Sequence, residues 1–226
     1  MARRSDVPAF GTEGHVYVKV CGVTTVDDAV RVADAGADAI GLNFWPKSPR
    51  RTDAPTARAI VDAVGDRVEC VAIFVDADEA LVRDVRAQTG IRWAQLHGAE
   101  SPAFVERLGP EAYKGVAVPD DAMLADALAF PGARLLVDAH VPGMPGGTGV
   151  HANWSLARRA AAARPVLLAG GLRSENVRAA LDAVRPAGVD VASGVEIRPG
   201  IKDSAKVRAF VEAVRTWALP SGPRAR

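Results

Sequence analysis

The chain has 226 residues and a formal net charge of +1, with 24% charged and 49% hydrophobic residues. This length suits one domain with a single large core, because α/β barrels of about 200 to 250 residues fold as one unit. The balanced charge gives no global attraction to nucleic acid, an acidic polymer or a membrane surface, so the expected partner is a small molecule.

The cysteine content and the hydrophobic pattern predict the cellular compartment and the extent of the folded domain. Cys21 and Cys70 are the only cysteines, too few for a disulfide scaffold, and they favour a reducing, cytoplasmic location. No apolar run approaches the roughly 18 residues of a membrane span. Residues 1–14 are predicted to be a flexible N-terminal leader, residues 15–219 the folded domain, and residues 220–226 a frayed C-terminal tail.

Short β-branched runs alternate with Ala-rich segments whose apolar residues recur every three or four positions, which is typical of strands and helices around a parallel sheet. The predicted strands span residues 16–21, 38–44, 68–75, 92–96, 112–118, 134–138, 165–169 and 189–192. The predicted helices span residues 26–35, 55–64, 78–88, 101–108, 120–129, 154–163, 174–184 and 203–217. Residues able to cap helices precede several of them: Thr24 or Thr25, Asp78, Ser101, Ser174 and Asp203.

Eight strand–helix pairs in this length predict an α/β fold, a single (β/α)8 barrel of the TIM type. A doubly wound open sheet is the alternative, because the number of strands does not by itself prove closure.

Two ionisable side chains, Cys21 and Asp138, end the first and sixth predicted strands. In a closed barrel the loops at these strand ends build one site, where a thiol could act as a base and a carboxylic acid as an acid. Lys19 lies two residues before Cys21 on the same face and could favour its thiolate. The alternatives are a small buried residue for Cys21 and a loop or cap residue for Asp138.

The loops after the seventh and eighth strands carry the residues expected to bind phosphate. Gly170 and Gly171 follow the seventh strand, and Ser193 and Gly194 follow the eighth. Glycines let backbone N–H groups approach an anion, the serine hydroxyl adds a donor, and barrels often hold phosphate at these loops. The alternative is that the glycines only make tight turns. Asp190, in the eighth strand, is a candidate for orienting a substrate.

Three further features are less specific. The loop at residues 43–51 is aromatic and basic, and one of its guanidinium groups could pair with a substrate carboxylate, or the loop could simply be solvated. His97, after the fourth strand, could orient a substrate or bond a loop carbonyl. Gly147 belongs to a cluster at residues 146–149 that matches no nucleotide-binding motif and is predicted to be a lid or an anion nest. The histidines show no paired metal-ligand spacing, so no metal is expected.

An ordered series of motifs resembles the phosphoribosylanthranilate isomerase family over about residues 16–217. The motifs are VKVCG at 18–22, WPKSPR at 45–50, VAIFV at 71–75, QLHG at 95–98, LLVD at 135–138, GGTG at 146–149, LAGGL at 168–172 and VDVASGVE at 189–196. Each motif alone is weak, but their order along one chain is specific.

The resemblance implies a barrel enzyme of tryptophan biosynthesis that rearranges N-(5-phosphoribosyl)anthranilate to 1-(2-carboxyphenylamino)-1-deoxyribulose 5-phosphate. It implies that Asp138 is the general acid, Cys21 the general base and Arg50 the ligand of the anthranilate carboxylate. It also implies phosphate binding by Gly170, Gly171, Ser193 and Gly194. No cofactor is implied, and the expected assembly is a monomer or a homodimer.

Two other readings stay open. Another sugar-phosphate barrel enzyme, such as an indole-glycerol-phosphate synthase or an epimerase, would share the phosphate loops but need different groups elsewhere. A catalytically silent barrel that binds a phosphometabolite is the second, and the presence of both Cys21 and Asp138 argues against it.

Overall fold

The chain folds into a closed barrel of parallel strands, which positions the helices and loops around it. The computed structural model describes residues 9–139 and 154–217. Its eight barrel strands are hydrogen-bonded in chain order and close through pairing of the last strand with the first. The strands are β1 Tyr17–Cys21, β2 Ala39–Asn43, β3 Glu69–Phe74, β4 Trp93–Leu96, β5 Ala112–Ala117, β6 Leu135–Asp138, β7 Val166–Ala169 and β8 Gly188–Val191. Closure confirms the predicted barrel and excludes the open sheet.

Helices follow the strands around the outside, and a short hairpin follows β8. The helices are α1 Val26–Asp34, α2 Ala54–Val64, α3 Glu79–Thr89, α4 Pro102–Arg107, α5 Asp121–Leu128, α6 Trp154–Ala163, α7 Val177–Val184 and α8 Ser204–Arg215. The hairpin consists of antiparallel β9 Glu196–Arg198 and β10 Ile201–Lys202. Among the described residues, no helix combines the length and the apolar character needed to cross a membrane.

Side-chain caps explain where most helices begin. An oxygen of the N-cap side chain accepts a backbone N–H of the first turn at Thr25, Asp53, Asp78, Ser101, Asp120 and Asp203. Each such cap contributes about 1 kcal/mol to helix stability.

The expected cap at Ser174 is wrong. Helix α7 begins at Val177, and its N-cap residue Asn176 makes no side-chain capping bond. Asn176 instead accepts the Arg173 N–H at 2.8 Å and donates to the Gly171 carbonyl at 3.0 Å. These bonds extend the loop after β7 by about one turn at the expense of the helix.

Aromatic and charged side chains pack across the amino ends of the strands, and we call this layer the barrel floor. Phe10 lies edge-on against Tyr17 with ring centroids 5.5 Å apart, and the Arg134 guanidinium lies 3.5 Å from the Trp93 ring centroid. Arg134 also forms a two-pronged pair with Glu69. The described part of the predicted leader therefore contacts the barrel. Residues 1–8 and 218–226 lie outside the described residues, and the domain boundaries stay predictions.

Candidate active site

A cavity of about 1040 Å³ opens at the carboxyl ends of the strands. Its lining brings together most of the side chains and glycines that the sequence singled out: Cys21, Arg50, His97, Asp138, Gly170, Gly171, Asp190, Ser193 and Gly194. Lys19 is not in this lining, because it lies deeper in the barrel and is completely buried. Gly147 lies outside the described residues. Residues far apart in the sequence thus share one pocket.

Cys21 ends β1 with its thiol beside β2. A Cβ atom added to Gly41 would lie 3.1 Å from the Cys21 sulfur, so this glycine leaves the room that the thiol occupies. Burial raises the pKa of Cys21, against the opposing effects of the cations Lys19, Lys202 and Arg50. Lys19 therefore acts in the predicted direction, but desolvation outweighs it and the substrate-free site favours the neutral thiol.

Lys19 and Asp190 form a buried ion pair beneath the cavity. The Lys19 Nζ donates to Asp190 Oδ2 at 2.9 Å, and the two side chains are 0% and 7% exposed. Burial opposes the charge of Lys19, yet its pKa is raised because Asp190 stabilises the ammonium form. The other Asp190 oxygen, Oδ1, is buried and has no hydrogen-bond partner among the described residues. Asp190 as a residue also lines the cavity, so the ion pair lies directly beneath the space that a ligand would occupy.

His97 directly follows β4, and Asp138 is the last residue of β6. Both residues line the cavity. Tyr113 donates to Gln95 Oε1 at 3.0 Å, and Gln95 Nε2 lies 3.2 Å from His97 Nδ1. Since an amide nitrogen only donates, Nδ1 accepts and the ring proton sits on Nε2. Burial lowers the pKa of His97, against the opposing charge of Asp138, so the ring is neutral near pH 7. His97 is therefore a hydrogen-bond donor at Nε2.

Arg50 lies in the loop after β2 and is held by Glu196, the first residue of β9. Its Nε and Nη2 donate to Glu196 Oε1 and Oε2 at 2.9 and 2.7 Å. Lys202 Nζ donates to the same Oε1 at 2.8 Å and to the Cys21 carbonyl at 2.5 Å. Glu196 and Lys202 had no assigned role in the sequence analysis. Their only local signal is a pair of opposite charges flanking the Pro-Gly turn of the hairpin.

The loops after β7 and β8 meet at one end of the cavity. Gly170 and Gly171 have φ of +106° and +63°, a region that favours glycine. A Cβ atom added to Gly194 would lie 2.0 Å from the Leu172 carbonyl oxygen, so the two loops touch backbone to backbone. Arg173 and Lys206, which the sequence analysis also missed, line this cavity. Glu175 also lines the cavity, 3.7 Å from Arg173, and the three side chains together still leave one net positive charge, which suits an anion.

Among the described residues, no group of three His, Cys, Asp or Glu side chains is arranged to hold a metal ion. The ionisable groups of the cavity are instead a thiol, carboxylates, an imidazole and cations. This set suits proton transfer on an anionic substrate.

Comparisons with known proteins identify the family of the chain. The sequence profile of the N-(5'-phosphoribosyl)anthranilate (PRA) isomerase family matches residues 18–213. N-(5'-phosphoribosyl)anthranilate isomerase of Azotobacter vinelandii is 45% identical over 202 residues, covering 88% of this chain and 98% of the relative.

Solved structures give the same result. Phosphoribosyl anthranilate isomerase from Thermotoga maritima superposes with a TM-score of 0.82 at 35% identity, covering 88% of this chain and 98% of that one. A second structure of such an isomerase, in complex with reduced 1-(o-carboxyphenylamino)-1-deoxyribulose 5-phosphate, has a TM-score of 0.79 at 33% identity with the same coverage. The chain therefore belongs to the N-(5'-phosphoribosyl)anthranilate isomerase family and is an isomerase.

Proposed function

We propose that the protein rearranges N-(5-phosphoribosyl)anthranilate to 1-(2-carboxyphenylamino)-1-deoxyribulose 5-phosphate, a step of tryptophan biosynthesis. One observation carries the proposal: in a chain of this family, a single cavity is lined by a thiol, a carboxyl group, an arginine and two glycine-containing loops. These groups match the three parts of the substrate, which are a sugar ring, an aromatic carboxylate and a phosphate.

The phosphate is assigned to the end of the cavity where the loops after β7 and β8 meet. Gly170, Gly171 and Gly194 allow the close approach of backbone N–H groups, and Ser193 adds a hydroxyl donor. Arg173 and Lys206 supply positive charge there. Anchoring the phosphate fixes the ribose relative to β1, which carries the base, and β6, which carries the acid.

Asp138 is proposed to open the sugar ring. In its protonated form it gives a proton to the furanose oxygen while the C1–O bond breaks, and the nitrogen lone pair forms a C1=N bond. The product is a protonated Schiff base with a free hydroxyl at C4. Proton donation to a poor leaving group in this way typically contributes 10²- to 10⁴-fold in rate.

Cys21 is proposed to remove the proton from C2. The electrons of that C–H bond form a C1=C2 bond and neutralise the nitrogen, which gives an enolamine. Tautomerisation then places a proton on C1 and leaves the ketone at C2. The positive charge of the Schiff base favours the thiolate by Coulomb attraction, so a larger fraction of Cys21 is in the form that accepts a proton once the Schiff base has formed.

Arg50 is proposed to bind the anthranilate carboxylate, and Asp190 and His97 to orient the sugar hydroxyls. Both residues line the cavity, and His97 offers the N–H at Nε2. Lys19 contributes through Asp190, since it does not line the cavity. All these steps are proton transfers, so the proposal calls for no cofactor. Location in the cytoplasm stays a prediction from cysteine usage.

The direct test mixes purified protein with freshly generated phosphoribosylanthranilate and follows the loss of anthranilate fluorescence. We expect first-order loss far faster than in buffer, with the carboxyphenylamino-deoxyribulose phosphate identified by mass spectrometry. Loss no faster than in buffer would overturn the proposal. Consumption of the substrate without that product would point to another barrel enzyme that acts on sugar phosphates.

A further inference from the structure

We infer that Glu196 is a positioning residue, which holds Arg50 so that the remaining N–H edge of the guanidinium is presented to the substrate carboxylate. The inference rests on the proposed function, because it concerns how the anthranilate group is recognised. It adds a specificity role for a buried residue that need not itself touch the substrate.

The guanidinium has two edges that can each bind a carboxylate through two N–H groups. Glu196 occupies the edge formed by Nε and Nη2, at 2.9 and 2.7 Å. The edge formed by Nη1 and the second Nη2 hydrogen has no hydrogen-bond partner among the described residues. Arg50 lines the cavity and is 23% exposed, whereas the Glu196 side chain is 4% exposed. Glu196 thus holds the Arg50 guanidinium by one edge and leaves the edge with Nη1 available to a ligand.

The aliphatic part of Arg50 is also fixed. A Cβ atom added to Gly22 would lie 2.4 Å from Arg50 Cδ and 3.2 Å from its Cβ and Cγ. The stem of the arginine therefore lies directly on the backbone that follows Cys21. With the stem on Gly22 and the head on Glu196, the guanidinium has little freedom to lose when a substrate binds.

Glu196 is held in turn by two donors of its own hairpin. Lys202 Nζ lies 2.8 Å and the Gly200 N–H 3.1 Å from Oε1. Burial opposes ionisation of Glu196, yet its pKa is lowered because Arg50 and Lys202 donate to it. Two cations and one anion leave this cluster with a net positive charge, so it still attracts a second carboxylate. Without Lys202, Glu196 would cancel the charge of Arg50.

The test replaces Glu196 by glutamine, which keeps the shape of the side chain but cannot accept from both Arg50 nitrogens. We expect KM for phosphoribosylanthranilate to rise about tenfold, the scale of one charge-assisted contact, with kcat within about threefold of the wild type. Glu69→Gln is the matched control, because Glu69 forms a similar two-pronged pair with Arg134 on the barrel floor. We expect that variant to leave KM unchanged.

A second substrate separates positioning from general damage. With N-(5-phosphoribosyl)aniline, which lacks the carboxylate, Glu196→Gln and wild type should have the same KM. Equal losses on both substrates, or a wild-type KM for phosphoribosylanthranilate in the folded variant, would overturn the inference. If circular dichroism shows that Glu196→Gln does not fold, Glu196→Asp takes its place, with the same expected rise and the same overturning result. Inactive wild-type protein would instead overturn the proposed function and this inference with it.

Discussion

The protonation state of the Cys21 thiol is set by its burial and by the charges around it. Burial raises its pKa, and three nearby cations lower it without prevailing. A neutral thiol is a poor nucleophile, which protects the cysteine from oxidation between turnovers. The charge needed for catalysis is then supplied by the cationic intermediate rather than by the protein alone.

This environment has a measurable pH dependence. A raised pKa means that the thiolate fraction of the free protein grows only at higher pH, so alkylation of Cys21 by iodoacetamide should speed up with a midpoint above that of a small-molecule thiol. The measurement uses a Cys70→Ser background, in which Cys21 is the only cysteine.

The control for the labelling is the Cys21→Ser, Cys70→Ser double variant, which should take up no label. A labelling midpoint at or below that of a small-molecule thiol would show that the cations prevail over burial, contrary to this account.

Single residues also show what local sequence can and cannot reveal. Cys21 and Asp138 were identified because each ends a predicted strand, a position with meaning in a barrel. The Arg50–Glu196 pair was missed because its partners are 146 residues apart and nothing in either local pattern specifies the other. The sequence also could not show that desolvation at Cys21 exceeds the effect of Lys19.

At the scale of elements, the geometry of the site depends on the turns that follow the strands as well as on the strands. Gly22 has φ of +75° at the end of β1, and Gly170 and Gly171 have φ of +106° and +63° after β7. A residue with a side chain is strained in this left-handed region. At Gly22 the absence of a Cβ has a second consequence, because Arg50 occupies the space.

Two glycines with the same backbone angle separate these effects. Gly22→Ala and Gly90→Ala both place alanine at φ +75°, but an added Cβ meets Arg50 Cδ at 2.4 Å in the first and only Arg58 Nη1 at 3.8 Å in the second. Both should lose about 1 to 2 kcal/mol of unfolding free energy from backbone strain. Only Gly22→Ala should also raise KM, by about tenfold or more, through displacement of Arg50.

Urea unfolding and steady-state kinetics on the two variants provide the measurement. If the KM of Gly22→Ala matches that of Gly90→Ala, Arg50 does not depend on the space above Gly22, and its assigned place in the site is wrong.

Element boundaries were predictable where a cap marks them. Asp78, Ser101 and Asp203 each precede a helix and accept a first-turn N–H, as expected. Ser174 has the same residue character but does not start its helix. There, Asn176 bonds back to Gly171 and Arg173, and this loop geometry outweighs the capping preference of a serine.

At the scale of the whole molecule, packing contacts and candidate site residues lie at opposite ends of the barrel. Aromatic rings and the Arg134–Glu69 pair close the amino ends of the strands, while the thiol, carboxylates and glycine loops gather at the carboxyl ends. This division is general for (β/α)8 barrels, in which loops at the carboxyl ends carry the active site. It explains why residues of β1, β6 and β8 face one cavity.

The fold could be predicted because alternating strand and helix patterns repeat eight times with short connections. Closure was the one step that the pattern left open, since an open sheet has the same local signals. The clustering of Cys21, Asp138 and the glycine loops followed once closure was assumed. The residues that support them, Glu196 and Lys202, became visible only with the hairpin after β8 in three dimensions.

The central claim is that Cys21 and Asp138 act as base and acid on one substrate, and parallel kinetics of three variants test it most directly. Under the fluorescence assay, Cys21→Ser and Asp138→Asn should each lower kcat/KM at least about 100-fold, the lower end of what a positioned acid or base contributes. Cys70→Ser, on β3, should keep the wild-type value. If either Cys21→Ser or Asp138→Asn is folded and retains most of the wild-type kcat/KM, the assignment of that residue is contradicted.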